Sequence, residues 1–540
     1  MRVAPVMVLI RVLLWLLLAL LIAGLLLRLL FPLPPLEPRT ESRFVPVDLA
    51  TPLGRGAATL TRPHAGLTGV HLLNDGRTAF AARVALARSA VRTLDLQYYI
   101  WRGDLSGSLL LHEVRLAADR GVRVRMLLDD NGVGGLDAPL AALDRHPGIE
   151  IRLYNPFMIR RPKFLGYLAD FRRLNRRMHN KSFTADGAAA IVGGRNVGDE
   201  YFGAQDQGLF ADLDALAVGP VVRDVQADFD RYWSSASAYP ATRILPAPPP
   251  GRMDEIAAAA RRAVRDPRAR AYMDAIAALP FREKLESGTL SFAWAPVRMV
   301  SDDPAKTLGR ASERRTLAAE LRRAIDAPTR SLDLVSGYFV PTDAGVVALR
   351  DMARSGSSVR VLTNAWEATD VGVVHAGYAP RREELLRAGV QLFELKAPNG
   401  ETVAPETPRI LGTGSGSGSG SGGSGTALRS SVTTLHAKTF AVDGARFFIG
   451  SFNFDPRSIH LNTELGFLID SRELAAGIAH AFSEQVPRRA YQVVLTPEGE
   501  LNWIERVGGR EVHHRVEPGT TRLDRGMVRV LSWLPIEWLL

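Results

Sequence analysis

Val91-Arg92-Thr93-Leu94-Asp95-Leu96-Gln97-Tyr98-Tyr99-Ile100 has a counterpart in Thr329-Arg330-Ser331-Leu332-Asp333-Leu334, which runs on to Tyr338-Phe339-Val340. Both are rich in β-branched and aromatic residues and read as strands. Each is followed by an amphipathic helical pattern, Leu109 to Arg120 in one case and Ala344 to Arg354 in the other. A further strand comes next, Val122–Leu128 or Val359–Leu362. Then Gly148-Ile149-Glu150-Ile151-Arg152-Leu153 matches Gly389-Val390-Gln391-Leu392-Phe393-Glu394. Strands alternating with helices define an α/β architecture, and the internal repeat says that it is present twice.

The breaks between these blocks set the expected organisation. Residues 1–35 form an N-terminal segment and 36–245 a first α/β domain. A Pro-rich break, Pro246-Ala247-Pro248-Pro249-Pro250, and an Ala/Arg-rich helical connector fill 246–290. A second α/β domain covers 291–490 and contains the Gly/Ser tract 412–425, which cannot pack a core and reads as an inserted loop. Residues 491–540 read as an appended hairpin, turning at Gly508-Gly509, and an apolar tail with Trp533 and Trp538.

The N-terminal segment holds an unbroken apolar run, Val12 to Leu27, between Arg11 and Arg28. With both arginines snorkelling, Val6–Phe31 is long enough to cross a bilayer at about 1.5 Å per residue. A cleaved signal peptide has the same basic start and apolar centre, but no small-x-small site follows this run, only Phe31-Pro32-Leu33-Pro34-Pro35. A membrane anchor is therefore the expectation. Arginines flank the run on both sides, so charge leaves its orientation open. The chain carries a net charge of +10 and no cysteine. The charge suits polyanionic partners, and the missing thiols exclude disulfides, thiolate metal sites and a cysteine nucleophile.

The chemistry sits in a second duplication. His179-Asn180-Lys181-Ser182-Phe183-Thr184-Ala185-Asp186 matches His436-Ala437-Lys438-Thr439-Phe440-Ala441-Val442-Asp443. Both continue through Gly and apolar residues to Gly193-Gly194-Arg195-Asn196 or Gly450-Ser451-Phe452-Asn453. On a strand, alternate residues share a face, so each His points with its Lys. Asp186-Gly187 and Asp443-Gly444 are hairpin-turn dipeptides. A two-residue turn there would set Gly194 opposite His179 and Ser451 opposite His436, leaving room for a phosphate, with Asn196 and Asn453 in reach as amide donors. Lys181 and Lys438 supply charge for non-bridging oxygens, and an ammonium beside each His argues against a metal site. Asp186 and Asp443 read as mainly structural, with an electrostatic share in catalysis. A lone His on a strand is usually a packing residue; the in-register duplication is what makes these two catalytic candidates.

These paired His-x-Lys-x4-Asp motifs resemble the phospholipase D superfamily. Asp95–Trp101, Asn364, Thr369-Asp370-Val371, Val374–Tyr378, Asn453–Ser458 and Asn462-Thr463-Glu464 look like its bacterial cardiolipin-synthase-like branch. The resemblance implies two pseudo-twofold-related α/β sandwich domains sharing one active site, with no cofactor. One His forms a phosphohistidine and the other acts as acid and base; His179 is assigned the first role and His436 the second. An acidic residue should orient each imidazole, and Asp212 and Glu464, which follow the first and second motif, are the candidates, with Asp214 a near rival to Asp212. His375 and Asp370 are expected to line the pocket. The basic cluster Arg160, Arg161, Lys163, Arg172, Arg173, Arg176 and Arg177 reads either as a solvated face or as a ramp for anionic headgroups.

The expected function is a membrane-anchored phosphatidyltransferase at the bacterial inner membrane, acting on phosphatidylglycerol and also phosphatidylethanolamine. A hydrolytic phospholipase D differs only in using water as acceptor. A nuclease of the same superfamily would not need an anchor, so nucleic acid is not an expected partner. A non-catalytic lipid-binding scaffold would have lost a His or Lys from one motif, and both are intact.

Overall fold

The computed structural model describes residues 3–204, 210–248, 251, 267–278, 280–325, 330–369, 371–397, 434–534 and 537–539. The Gly/Ser tract 412–425, Asp370 and most of the Ala/Arg-rich connector lie outside them.

The strand pair that opened the sequence reading becomes the centre of two mixed sheets. In the first, β2 (Thr93–Ile100), β3 (Arg123–Gly132) and β4 (Ile149–Tyr154) run parallel. In the second, β12 (Ser331–Ser336), β13 (Ser358–Asn364) and β14 (Gln391–Leu395) do the same. The crossover helices, Leu105–Asp119 and Asp343–Arg354, fall where the helical periodicity placed them. Each parallel trio is extended by an antiparallel set carrying a motif. In the first half these are β5 (Ser182–Ala185), β6 (Ala189–Gly193) and β8 (Asp214–Val218). In the second they are β16 (Lys438–Val442), β17 (Arg446–Gly450) and β18 (Leu465–Ile469).

The two sheets pack against each other through these antiparallel strands. Val192, Ala215 and Ala217 of one half meet Phe447, Ile449, Leu465 and Phe467 of the other in one apolar cluster. Each sheet is thus covered by helices on one face and by the other half on the second. Both of its faces are dry, so polar residues on the central strands are buried with partners, as Asp95 is with Arg125 in the first sheet.

Three expected boundaries move. The strand Ala293–Ala295 pairs with Thr68–Leu73 in the first sheet, so the second half begins at the strand Val297–Ser301, which pairs with β18. The described part of the connector belongs to the first half: Tyr272, Ile276, Phe281 and Leu285 are buried in its core. Residues beyond 490 are no appendage either. The strands Ala490–Leu495, Leu501–Val507 and Arg510–His514 continue the second sheet from β14, and Trp503 is buried against it. The hairpin turn itself is Gly508-Gly509, both with positive φ.

The C-terminal helix Arg522–Trp533 opens with a capping box between Thr521 and Asp524. It buries Val528 and leaves Trp533 76% exposed, so it is partly docked and partly bare. Among the described residues one helix, Val3–Leu30, is long and apolar enough to cross a membrane.

Candidate active site

Both Asp-Gly hairpins differ from the expected two-residue turn. Ala185 pairs with Ala189 and Val442 with Arg446, so three residues close each loop. The register moves by one: Ser182 faces Val192 and Thr439 faces Ile449, where a two-residue turn would have given Ile191 and Phe448. Asp186 and Asp443 take left-handed φ values of 51° and 55°, and turn their carboxylates back onto the preceding strand. Asp186 accepts from the backbone N–H groups of Val91, Arg92 and Thr93; Asp443 accepts from Arg330 and Ser331. Each is a clamp joining the hairpin to its parallel strands. Their placement in the motif follows from these bonds, which bear out the structural part of the reading.

The slipped register changes the meaning of Gly194 and Ser451. A β-carbon at Gly194 would stand 2.1 Å from Asp212 Oδ1, so the missing side chain makes room for a carboxylate and not for phosphate. Ser451 instead donates its hydroxyl to Glu464 Oε2 at 2.5 Å. Both positions therefore serve the acidic residues that contact the histidines.

Those contacts cross between the halves. His179 Nδ1 donates to Glu464 Oε2 at 2.8 Å, and His436 Nδ1 donates to Asp212 Oδ2 at 2.5 Å. The backbone repeats the exchange. His179 N–H donates to Thr463 O beside the Met178–Thr463 bridge, while His436 N–H donates to Ala211 O next to the paired segments Phe210–Ala211 and Thr434–Leu435. Each imidazole is thus fixed by the half that does not carry it, and all four groups are buried. Asp214, the rival to Asp212, pairs with Arg83 and Arg195 and contacts neither histidine.

Lys181 Nζ donates to His179 O at 2.5 Å, and Lys438 makes the equivalent bond to His436 O. These hydrogen bonds hold each ammonium beside its imidazole. His179 Nε2 has no hydrogen-bond partner among the described residues and is the atom left for a reacting phosphorus. Asn196 is engaged at both ends, accepting from Ile100 N–H and donating to Tyr201 OH, so it braces the site instead of offering an amide. Asn453 keeps its side-chain oxygen without a partner among the described residues.

The electrostatics differ between the two pairs. Burial, then the Lys181 and Lys438 charges, holds His179 well below its ordinary pKa. Burial and Lys438 push His436 down to about 3 against the pull of Asp212. Burial raises Glu464 to about 7, although Lys181 and the Ser451 and Ser458 hydroxyls oppose it. Burial would raise Asp212 too, but His436, Lys438 and Arg195 keep it below the ordinary carboxylate value. Near neutral pH, therefore, the Glu464–His179 pair can take up a proton on its carboxylate, while Asp212 stays ionised beside His436. Lys181 is lowered to about 7 by burial, with Glu464 opposing and Lys438 adding.

Several contributors escaped the sequence reading. Ser458 Oγ donates to Glu464 Oε1 at 2.9 Å, and Asp302 accepts the Glu464 N–H at 3.0 Å. Tyr99 and Tyr201 set ring edges against His179 and His436, 5.0 and 5.3 Å between centroids. Ser458 lies inside a quoted motif, whereas Asp302 has no sequence signal. His375 does not line the pocket: it is buried with its Nε2 2.7 Å from Glu517, locking the C-terminal segment to Arg382. Much of the basic cluster is internally spent. Arg160 and Lys163 pair with Asp130, Arg173 with Asp170, and Arg177 with buried Asp129.

A duplicated α/β unit with two carboxylate-held histidines and two lysines around one centre defines a two-half phosphodiester enzyme. The family model described as "Cardiolipin synthase, PLD-like domain" matches residues 84–233 and 321–486. Cardiolipin synthase C of Escherichia coli (strain K12) is 46% identical over 90% of this chain and 99% of its own length. Cardiolipin synthase A of Pseudomonas putida (strain GB-1) is 27% identical over 82% of this chain and 73% of its own. The crystal structure of phosphatidylserine synthase from Haemophilus influenzae has the same fold, with a TM-score of 0.56 at 12% identity, covering 90% of this chain and all of that one. The chain belongs to the cardiolipin-synthase-type phospholipase-D-like family and is an enzyme of the phospholipase D superfamily.

Proposed function

We propose that the chain is a membrane-anchored phosphatidyltransferase that makes cardiolipin, with phosphatidylglycerol as a donor and phosphatidylglycerol or phosphatidylethanolamine as the second phospholipid. The observation that carries the mechanism is the exchanged pair of contacts, Glu464 to His179 and Asp212 to His436. With its Nδ1–H committed to Glu464, His179 presents the lone pair of Nε2 for attack, whereas His436, held by Asp212, acts as the acid in its doubly protonated form.

His179 Nε2 attacks the phosphorus, and the bond from phosphorus to the departing alcohol breaks as a phosphohistidine forms. His436 delivers a proton to the departing oxygen, then removes one from the acceptor hydroxyl, which attacks phosphorus and frees His179. Lys181 and Lys438 balance charge on the non-bridging oxygens. The assignment of His436 to proton transfer rests on its ionised partner: Asp212 supports an imidazolium better than Glu464, which burial drives toward its neutral form. In the free enzyme burial and Lys438 keep His436 neutral; bound phosphodiester adds negative charge against the lysines and shifts His436 toward the protonated form that the first step needs.

The helix Val3–Leu30 serves as the anchor in the bacterial inner membrane, which fits an enzyme whose substrates are lipids. A test is to incubate the purified full chain with labelled phosphatidylglycerol, with and without phosphatidylethanolamine, and identify the products. Cardiolipin that disappears in His179→Ala and His436→Ala is expected. Phosphatidic acid as sole product would make the enzyme a hydrolytic phospholipase D, and DNA cleavage without lipid turnover would overturn both lipid readings.

A further inference from the structure

The helix Leu165–Leu174 leaves Phe164, Leu168 and Phe171 bare, 66%, 47% and 45% exposed. Phe164 and Leu168 are four residues apart, and Phe171 follows a kink at Asp170 (φ −153°, ψ 58°) but lines the same groove as Leu168; together they make a bent apolar stripe, which a soluble surface rarely leaves open. Arg161 and Arg172 stand exposed near its two ends and make no ion pair among the described residues, unlike Arg160, Lys163 and Arg173.

What covers this stripe follows from its neighbour. The N-terminal helix Val3–Leu30 packs directly on it: a β-carbon at Gly24 would lie 2.5 Å from the Leu168 carbonyl oxygen. Leu20, Leu21, Leu25 and Arg28 line one side of the groove between them, and Tyr167 and Phe171 the other. Gly24 is one turn, about 6 Å, inside Arg28, the cation that ends the apolar span. A helix touching the span at that depth cannot stand clear of the bilayer. It lies at the headgroup–acyl boundary, the depth at which amphipathic helices bury an apolar face by about 5–10 Å.

We propose that Leu165–Leu174 is an interfacial membrane-docking helix, inserting Phe164, Leu168 and Phe171 beside the spanning helix while Arg161 and Arg172 contact anionic headgroups. His179 follows this helix by five residues, and the C-cap Asn175 is held by Arg457 of the other half. Docking therefore fixes the height of the active site over the lipid surface. The inference rests on reading Val3–Leu30 as membrane-spanning.

Because the chain has no cysteine, single-cysteine variants carry a fluorophore at one known place. Full-length Phe164→Cys, Leu168→Cys and Phe171→Cys are labelled and reconstituted in phosphatidylcholine–phosphatidylserine vesicles. Trp15→Cys, within the spanning helix, and Val507→Cys, on the exposed sheet-edge hairpin, serve as references. Quenching by shallow nitroxide-labelled lipid about 3-fold or more above the Val507 position is expected at all three sites, with Trp15 quenched by deep nitroxide lipid. Iodide quenching of the three sites at the Val507 level, with Trp15 still lipid-quenched, overturns the docking helix and leaves the anchor standing. Labels shielded from both lipid and iodide mean a protein partner and overturn it as well. A Trp15 label untouched by lipid quenchers removes the anchor and the docking helix together. None of these outcomes depends on the products made, so lipid turnover is judged separately.

Discussion

His436, on the second half of the chain, directs its Nδ1–H to Asp212 of the first half at 2.5 Å, while His179 reaches in the opposite sense to Glu464. Neither half holds a complete catalytic unit. Replacing Asp212 should therefore disturb the histidine of the other motif. In Asp212→Asn the Nδ1 proton resonance of His436 should move while that of His179 stays, and kcat should fall about 100- to 10,000-fold, the range typical of losing general acid–base catalysis. A shift confined to His179 would contradict the exchange.

Gly194 tests the same contact by steric means. In Gly194→Ala the new methyl group meets Asp212 Oδ1 at 2.1 Å and must displace the carboxylate from His436. A misplacement of this size should cost about 100-fold in kcat. KM should change little, because no substrate contact is lost. Steady-state kinetics on mixed micelles gives both numbers. An increase in KM with kcat unchanged would mean that Gly194 faces substrate.

The two motif aspartates should separate stability from catalysis. Asp186→Gly keeps the left-handed turn but strips the acceptor from three backbone N–H groups, and should cost roughly 2–4 kcal/mol. Asp443→Gly, at a half-buried position with two such bonds among the described residues, should cost about 1–2 kcal/mol. Urea unfolding measures both. Activity per folded molecule should remain within about 3-fold of the parent. A collapse of kcat in fully folded Asp186→Gly would restore a direct catalytic role.

Lys181 sets the alkaline limb of activity. Burial lowers it to about 7, so the free enzyme loses this positive charge as pH rises through that value. The charge attracts the anionic phosphodiester, hence kcat/KM should fall above about pH 7. In the complex the phosphate favours the ammonium, so kcat should hold to higher pH. A kcat/KM that climbs between pH 7 and 9 would contradict this sign.

The sequence carried some of these elements and hid others for identifiable reasons. The parallel strands, their crossover helices and both motifs were legible because strand and helix periodicities are local and occur twice. Asp212 and Glu464 were legible as acidic residues that follow the two motifs, although their spacing differs, 33 residues after His179 and 28 after His436. The one-residue slip of the hairpins was not. It depends on Asp186 and Asp443 turning back onto strands more than 90 residues earlier. The true neighbour of Gly194 was hidden by that slip. Asp302 was invisible for a similar reason: its contact with Glu464 exists only once two distant strands are paired. His375 misled because a histidine in a family-like segment looks functional, whereas its partner Glu517 lies 142 residues on.

A phosphohistidine at His179 that needs the proton carried by His436 is the core of the proposed mechanism. The direct measurement is a rapid quench of the enzyme with donor phospholipid labelled in its phosphatidyl group, followed by alkaline-tolerant peptide mapping. Label is expected on the His179 peptide in the parent enzyme, discharged by added acceptor lipid into cardiolipin, with no label in His179→Ala. Label on the His436 peptide in place of His179 would reverse the assigned roles. Full turnover through an enzyme that never carries label, under quench conditions that preserve authentic phosphohistidine, would contradict the covalent mechanism itself.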